Sequence, residues 1–158
     1  MKNDNQLIKS FYEQLDEELE TFGLPVDKLI ETLDFVEYEY IDGKIAGIAG
    51  LREGSTFFTL VKKEYQNKGL GQKLMEKVIE SAKRNNYAYL DSSVIKYNKR
   101  SVHINKKHGF RIIGSIPGDG KDSYYMIKPL SLKGELFMLR QKIVFSILAV
   151  KKLLKPLR

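Results

Sequence analysis

The sequence predicts a single mixed-sheet α/β (α+β) domain with an extra C-terminal helix. Three observations predict it. The chain has 158 residues, 42% of them hydrophobic, which suits one domain with a real core. Residues 35–61 alternate and turn like strands. From residue 70 the pattern changes to a helical period, then returns to strand patterns with one more short helix between them.

The elements follow in order. Leu7, Phe11, Leu15 and Leu19 recur every four residues with acids between them, an amphipathic helix over about 5–21. Gly23 and Pro25 break it, and Pro25–Leu33 starts a second short helix. Phe35–Ile41 alternates with Glu37 and Glu39 as a half-buried strand does. Asp42-Gly43 is a hairpin turn, because both residues tolerate positive φ. Lys44–Leu51 is the partner strand, with Gly47 and Gly50 as candidate bulges. Glu53-Gly54 turns the chain into Thr56–Val61, a third strand. Leu70, Leu74, Val78, Ile79 and Ala82 then lie on one face of a helix running to about Asn85. Tyr87–Ile95 reads as a buried strand, and Asn98–His108 as a short helix capped by Asn98 and ended by Gly109. Phe110–Ile116 and Ser123–Ile127 form a last hairpin.

Composition narrows function. There is no Cys, which excludes disulfide scaffolds, thiolate metal sites and cysteine nucleophiles. His103 and His108, the two histidines, are too few for a His-rich metal cluster, so no metal is expected. The polar, acidic start does not read as a secretory signal, and no apolar run reaches the ~18 residues of a spanning helix. A cytoplasmic location is the expectation. The net charge of +7 is uneven: residues 1–40 carry −8, residues 41–130 carry +9 and residues 131–158 carry +6. A basic middle suits an anionic ligand such as a nucleotide, CoA or nucleic acid.

One segment joins a strand to a helix through a polar, glycine-bearing loop: Val61-Lys62-Lys63-Glu64-Tyr65-Gln66-Asn67-Lys68-Gly69-Leu70-Gly71-Gln72. The first turn of a helix leaves backbone amides without partners, and the macrodipole makes that end partly positive. Glycines there let an anion approach the backbone. Lys68, Gln72 and Lys73 are candidate further contacts. Neither the P-loop pattern nor a complete dinucleotide fingerprint is present. Alone, the Gly69-Leu70-Gly71 start also suits a helix packed closely on its neighbour.

Two motifs together are more specific. Gln66-Asn67-Lys68-Gly69-Leu70-Gly71 resembles the Q/R-x-x-G-x-G/A motif of the GNAT N-acetyltransferase superfamily, at the place in the strand order where that family carries it. Asn98-Lys99-Arg100-Ser101-Val102-His103-Ile104-Asn105-Lys106-Lys107-His108-Gly109-Phe110 is similar to the family's N-x-x-A-x-x-L-Y-x-x-x-G-F segment. The resemblance covers about residues 35–130. It implies the GNAT acyl-CoA N-acyltransferase fold, with acetyl-CoA as cosubstrate and a primary amine on a small molecule or peptide as acceptor. Backbone amides of Gln66, Asn67, Lys68, Gly69, Leu70 and Gly71 would cradle the pyrophosphate, with Gln72 beside them. Val61 would bond the pantetheine arm through its main chain, and Asn98 and Ser101 would meet the cofactor from the second motif. The acetyl group would enter where Thr56–Val61 and Tyr87–Ile95 splay apart.

The pattern departs from the family at one place. A Tyr after the apolar residue of the second motif is often the family's proton donor; here Asn105 stands there. Asn hydrogen-bonds but does not donate a proton as a phenol does. Tyr97, Tyr124 and Tyr125 are candidate substitutes, and Asp91 and Glu53 are candidate bases, directly or through water. The departure keeps a non-catalytic CoA-binding or sensor module as the alternative. A nucleic-acid binder has the charge but no recognition helix or aromatic-rich strand motif.

The organisation expected is an acetyltransferase-like domain over 1–130, with acidic helices in 1–34 and a core in 35–130, then a basic amphipathic helix over 131–158. In that helix Leu136, Leu139, Ile143, Ile147, Val150, Leu154 and Leu157 share one stripe. The stripe is expected to pack on its own domain or on a second copy. An anionic membrane surface and an acidic or nucleic-acid partner are the other readings.

Overall fold

A computed structural model describes residues 2–15, 25–117 and 122–153. Among these residues five α-helices and six strands succeed one another as the sequence predicts: α1 (Lys2–Glu13), α2 (Val26–Thr32), β1 (Leu33–Ile41), β2 (Lys44–Arg52), β3 (Thr56–Val61), α3 (Leu70–Arg84), β4 (Tyr89–Ile95), α4 (Lys99–Lys107), β5 (Arg111–Ile116), β6 (Ser123–Pro129) and α5 (Leu132–Leu153). The chain falls into two compact units, Met1–Ser81 and Ala82–Arg158. No described helix is long and apolar enough to cross a membrane.

In the first unit β1, β2 and β3 form an antiparallel meander. Asp42-Gly43 and Glu53-Gly54 make its turns, all four residues at positive φ, which favours glycine and Asp and suits the twist of the strands. Ile8, Phe11, Leu29, Ile48, Phe58 and Leu60 form the core between the meander and helices α1 and α2. Of the stripe expected on the first helix, Phe11 is buried and Leu15 packs partly buried on the same core, but Ile8 is buried in place of Leu7, which is exposed, and α1 ends at Glu13. The expected positions 16–21, including Leu19, lie outside the described residues.

The glycines of β2 act differently from expectation. The irregularities between β1 and β2 fall at Ala46 and at Asp34, each left without a partner in the register, next to Gly47 but away from Gly50. At Gly50 the reason for glycine is close approach, since a Cβ there would lie 2.2 Å from the Phe35 carbonyl oxygen.

The second unit is an antiparallel sheet with β6 central, flanked by β4 and β5. Helix α5 packs on it through Phe137, Met138 and Phe145: Phe137 stacks on Tyr89 at 4.1 Å and Phe145 on Tyr125 at 5.7 Å. The packed face is opposite to the Leu136–Leu139–Ile143–Ile147 stripe, whose residues are exposed. Strand β4 starts at Tyr89 rather than Tyr87, because the end of α3 takes the intervening residues. Asn86 adopts φ +59, and the Tyr87 amide bonds back to the Ala82 carbonyl.

Helix α4 is closed at both ends as its residues dictate. The Asn98 side-chain oxygen accepts from the Ser101 amide at 3.0 Å. At the other end the Phe110 amide bonds Asn105 O, the Gly109 amide bonds Lys106 O, and Gly109 sits at φ +85, a Schellman motif. Lys128 Nζ donates to the His108 carbonyl at 2.7 Å, 2.9 Å from where a Gly109 Cβ would lie. Gly109→Ala is therefore expected to destabilise the protein by about 1–2 kcal/mol. An unchanged urea midpoint would contradict it.

Candidate functional site

Strand β3 delivers the chain to a single 3₁₀ turn, Lys63–Tyr65, and a loop of four residues leads into α3. Asn67 and Gly69 both adopt positive φ, at +65° and +83°. This reverses the chain so that the helix starts facing outward. The first bonds of α3 run from the Gln72 and Lys73 amides to Gly69 O, at 3.0 and 3.1 Å. Helix geometry leaves the amides of Leu70 and Gly71 ahead of that ladder, pointing out of the helix end.

The two glycines distinguish between packing and ligand approach. Apart from the adjoining backbone, nothing among the described residues lies within 4 Å of the position a Cβ would take on Gly69 or Gly71. Gly47 and Gly50, by contrast, are hemmed in by carbonyls and side chains. Gly69 is accounted for by its positive φ, but Gly71 is helical and no neighbour requires it to be small. The open surface over an amide-rich helix start is what an anion such as a pyrophosphate needs, and the residues present fit that group.

The surrounding side chains are mostly basic. Lys68 Nζ sits 5.5 Å over the Tyr65 ring. Gln66 Nε2 donates to the Val61 carbonyl at 3.1 Å, tying the loop to the end of β3. Lys62 is buried, and its Nζ donates to Gln14 Oε1 at 2.6 Å with the Phe11 ring 5.6 Å away.

Glu39 is the group that the sequence reading missed. The alternation of β1 marks Glu37 and Glu39 as solvent-facing, but helix α3 covers that face. Lys73, Lys77 and Ser81, spaced one turn apart, meet them: Lys73 Nζ is 2.8 Å and Lys77 Nζ 2.6 Å from the Glu39 carboxylate, and Ser81 bonds Glu37. Lys73 is thus anchored to β1 at the second turn of the anion-facing helix. Only the i, i+4, i+8 spacing of Lys73, Lys77 and Ser81 against two acids on one strand face could have signalled it.

Burial pushes the Glu39 carboxyl up, yet the hydrogen bonds and charges of Lys73 and Lys77 outweigh burial and hold it below the usual range. A carboxyl depressed in the folded state stabilises the fold above its unfolded pKa of about 4.3, and that contribution is lost as pH falls through the folded value. Glu39→Gln is expected to flatten the loss of stability on acidification below about pH 4.3. Parallel urea titrations of both proteins over that range measure it, and identical pH profiles would contradict it.

In the second unit Asn105 is 5% exposed within α4. Its Nδ2 donates to the Ser101 carbonyl at 2.9 Å, while its buried Oδ1 has no protein partner. Asn98 and Ser101 are bound to each other in the helix cap. Tyr97, immediately before that cap, is 65% exposed. Burial, followed by the nearby Asp91 carboxylate, pushes the Tyr125 phenol well above its usual pKa. Tyr125 stacks on Phe145 of α5, so this pair lies on the face that α5 covers. Tyr124 has Lys96 Nζ over its ring at 5.5 Å. Glu53 is in the β2–β3 turn, 3.3 Å from Arg52. His103 is exposed, and His108 Nδ1 is 2.8 Å from the Ile104 carbonyl. The described residues contain no group of His, Asp and Glu able to hold a metal ion.

The model of the acetyltransferase (GNAT) family matches residues 6–110, and the chain belongs to that family. Solved structures agree in fold. The ribosomal-protein-S18-alanine N-acetyltransferase of Escherichia coli is 21% identical with a TM-score of 0.60, covering 68% of this chain and 78% of that one. An acetyltransferase of the GNAT family from Streptococcus pneumoniae is 30% identical with a TM-score of 0.55 and the same coverage. The protein yncA of Salmonella typhimurium, solved with its cofactor acetyl-CoA, is 23% identical with a TM-score of 0.56, covering 61% of this chain and 64% of that one.

Proposed function

We propose that this protein is an N-acetyltransferase that moves an acetyl group from acetyl-CoA to a primary amine, on a small molecule or peptide, by direct attack in a ternary complex. The observation that carries the proposal is the unfilled space over Gly71 at the start of α3, in a chain of the GNAT family. A chain without cysteine suits a reducing compartment, and this reading places the reaction in the cytoplasm.

When bound, acetyl-CoA supplies an activated thioester. The chain's own groups do the rest. The amides of Gln66, Asn67, Lys68, Gly69, Leu70 and Gly71 receive the pyrophosphate, with the Lys68 and Gln72 side chains alongside. Val61 would contribute its main chain to the pantetheine arm, and Asn98 and Ser101 are the residues of α4 that the family resemblance assigns to the cofactor. The acceptor must arrive as the neutral amine, since an ammonium of pKa about 10.4 has no lone pair. Asn105 would offer its second amide hydrogen as a hydrogen-bond donor to the thioester. Tyr97 would give its phenolic proton to the leaving thiolate and be reprotonated, through water, by the proton that the attacking nitrogen loses, a contribution of roughly 10²–10⁴-fold in rate.

Thermal unfolding with acetyl-CoA, CoA and ATP, followed by release of free thiol with a panel of amines, tests this. A ligand at ~100 times its Kd stabilises by about 2.7 kcal/mol. Stabilisation by acetyl-CoA and CoA but not ATP, with thiol release dependent on an amine, is expected. Tyr97→Phe is expected to lower kcat by about a hundredfold with the Kd for acetyl-CoA unchanged, and an unaltered kcat removes Tyr97 from the mechanism. Asn105 in the place of the family's Tyr favours a second reading, a CoA-binding module without turnover. Stabilisation by CoA without thiol release for any amine would select that reading.

A further inference from the structure

Helix α5 has two faces, and the fold uses only one. Phe137, Met138 and Phe145 seal the sheet of the second unit, and Gly134 lets the helix approach so closely that a Cβ there would lie 2.0 Å from the Ala88 carbonyl oxygen. The opposite face carries Leu132, Leu136, Leu139, Ile143 and Ile147, each between 50% and 77% exposed. These five follow the spacing 4, 3, 4, 4, so they line one side of the helix for about 22 Å. Five large aliphatic side chains in one open stripe are more than a monomer's scattered surface residues.

The charges beside the stripe select its partner. Lys133 and Arg140 lie on one flank and Lys142 on the other, all exposed, and the sequence adds Lys151 and Lys152 in the last turn. Glu135, which could have offset them, is held by Arg111 at 3.0 and 3.1 Å. Two copies of this helix laid side by side would bring like-charged flanks together. An anionic lipid surface meets both features: aliphatic side chains enter the acyl boundary while lysine and arginine stems reach up to the headgroups. We infer that α5 is an interfacial helix by which the protein binds anionic membrane surfaces, lying in the membrane plane while its other face remains packed on the sheet.

The test is co-sedimentation of the full-length protein with vesicles of phosphatidylcholine mixed with phosphatidylglycerol, and with vesicles of phosphatidylcholine alone. Binding to the mixed vesicles, weakened by salt, is expected. Leu136→Glu/Ile143→Glu should abolish it. Lys133→Glu/Arg140→Glu/Lys142→Glu should weaken it roughly a hundredfold. All five side chains are exposed, so circular dichroism and the melting temperature should be unchanged in both variants. Failure of the wild type to bind the mixed vesicles overturns the inference, as does wild-type binding by the variants. A dimer at the same protein concentration that Ile143→Glu dissociates, with no vesicle binding, would assign the stripe to a second copy instead. None of these outcomes depends on acetyl-CoA binding or turnover.

Discussion

Gly71→Ala is expected to stabilise the protein and weaken acetyl-CoA binding at the same time. Gly71 is in the first turn of α3, and nothing lies within 4 Å of the Cβ that alanine would add. Replacing a helical glycine by alanine removes backbone freedom from the unfolded chain and is worth about 0.5–1 kcal/mol. For a chain of this size that is a rise of about 1–4 °C in Tm. The same methyl occupies the space through which an anion would approach the Leu70 and Gly71 amides. A rise of about tenfold or more in Kd is expected, equivalent to a loss of about 1.4 kcal/mol or more. The opposite signs are the diagnostic feature, because a merely structural glycine would give a fall in stability and no separate binding defect. Gly69→Ala serves as the contrast: its φ of +83° predicts a loss of about 1 kcal/mol of stability. Isothermal titration with acetyl-CoA, beside thermal unfolding of the free proteins, measures both quantities. Wild-type affinity in Gly71→Ala would remove the glycine cradle from the proposed function.

A large stability effect is expected at Gly50. This residue is buried in β2, the central strand of the meander, between β1 and β3. A Cβ would lie 2.2 Å from the Phe35 carbonyl oxygen, 3.1 Å from the Phe58 ring and 3.1 Å from the Val36 Cα. Two of those three neighbours are backbone of β1, which cannot move without breaking the ladder. Overpacking against such a wall costs about 3 kcal/mol or more. Gly50→Ala should therefore shift the urea midpoint down sharply with little change in slope. A loss below about 1 kcal/mol would mean that β1 shifts aside freely, and would contradict the packing described for the first unit.

The sequence was most informative where structure is local. The turns at Asp42-Gly43 and Glu53-Gly54, the cap at Asn98 and the stop at Gly109 each depend on the conformational freedom or hydrogen bonding of one or two residues, and all occur as expected. The order of helices and strands was legible for the same reason, since period and punctuation are properties of short segments. The loop before α3 was legible as a motif. That its second glycine faces open space, whereas Gly50 faces a carbonyl, could be learned only from the packed structure.

Faces were another matter. The sequence by itself predicted a helix over 131–158 with Leu136, Leu139, Ile143 and Ile147 on one stripe; Leu154 and Leu157 of that stripe lie outside the described residues. It could not determine which stripe meets the sheet, because Phe137, Met138 and Phe145 form an equally apolar stripe on the other side. The tertiary structure decided in favour of the aromatic one, since rings that stack on Tyr89 and Tyr125 fill the wide gap over a sheet better than branched aliphatics do. The same holds for Glu39. Alternation along β1 determined which face it shares with Glu37, and the arrival of α3 buried the Glu39 carboxylate beneath the exposed lysines Lys73 and Lys77 that pair with it. Secondary structure follows from interactions between near neighbours in the chain, whereas burial depends on which distant surface arrives, and a single strand or helix carries no record of that.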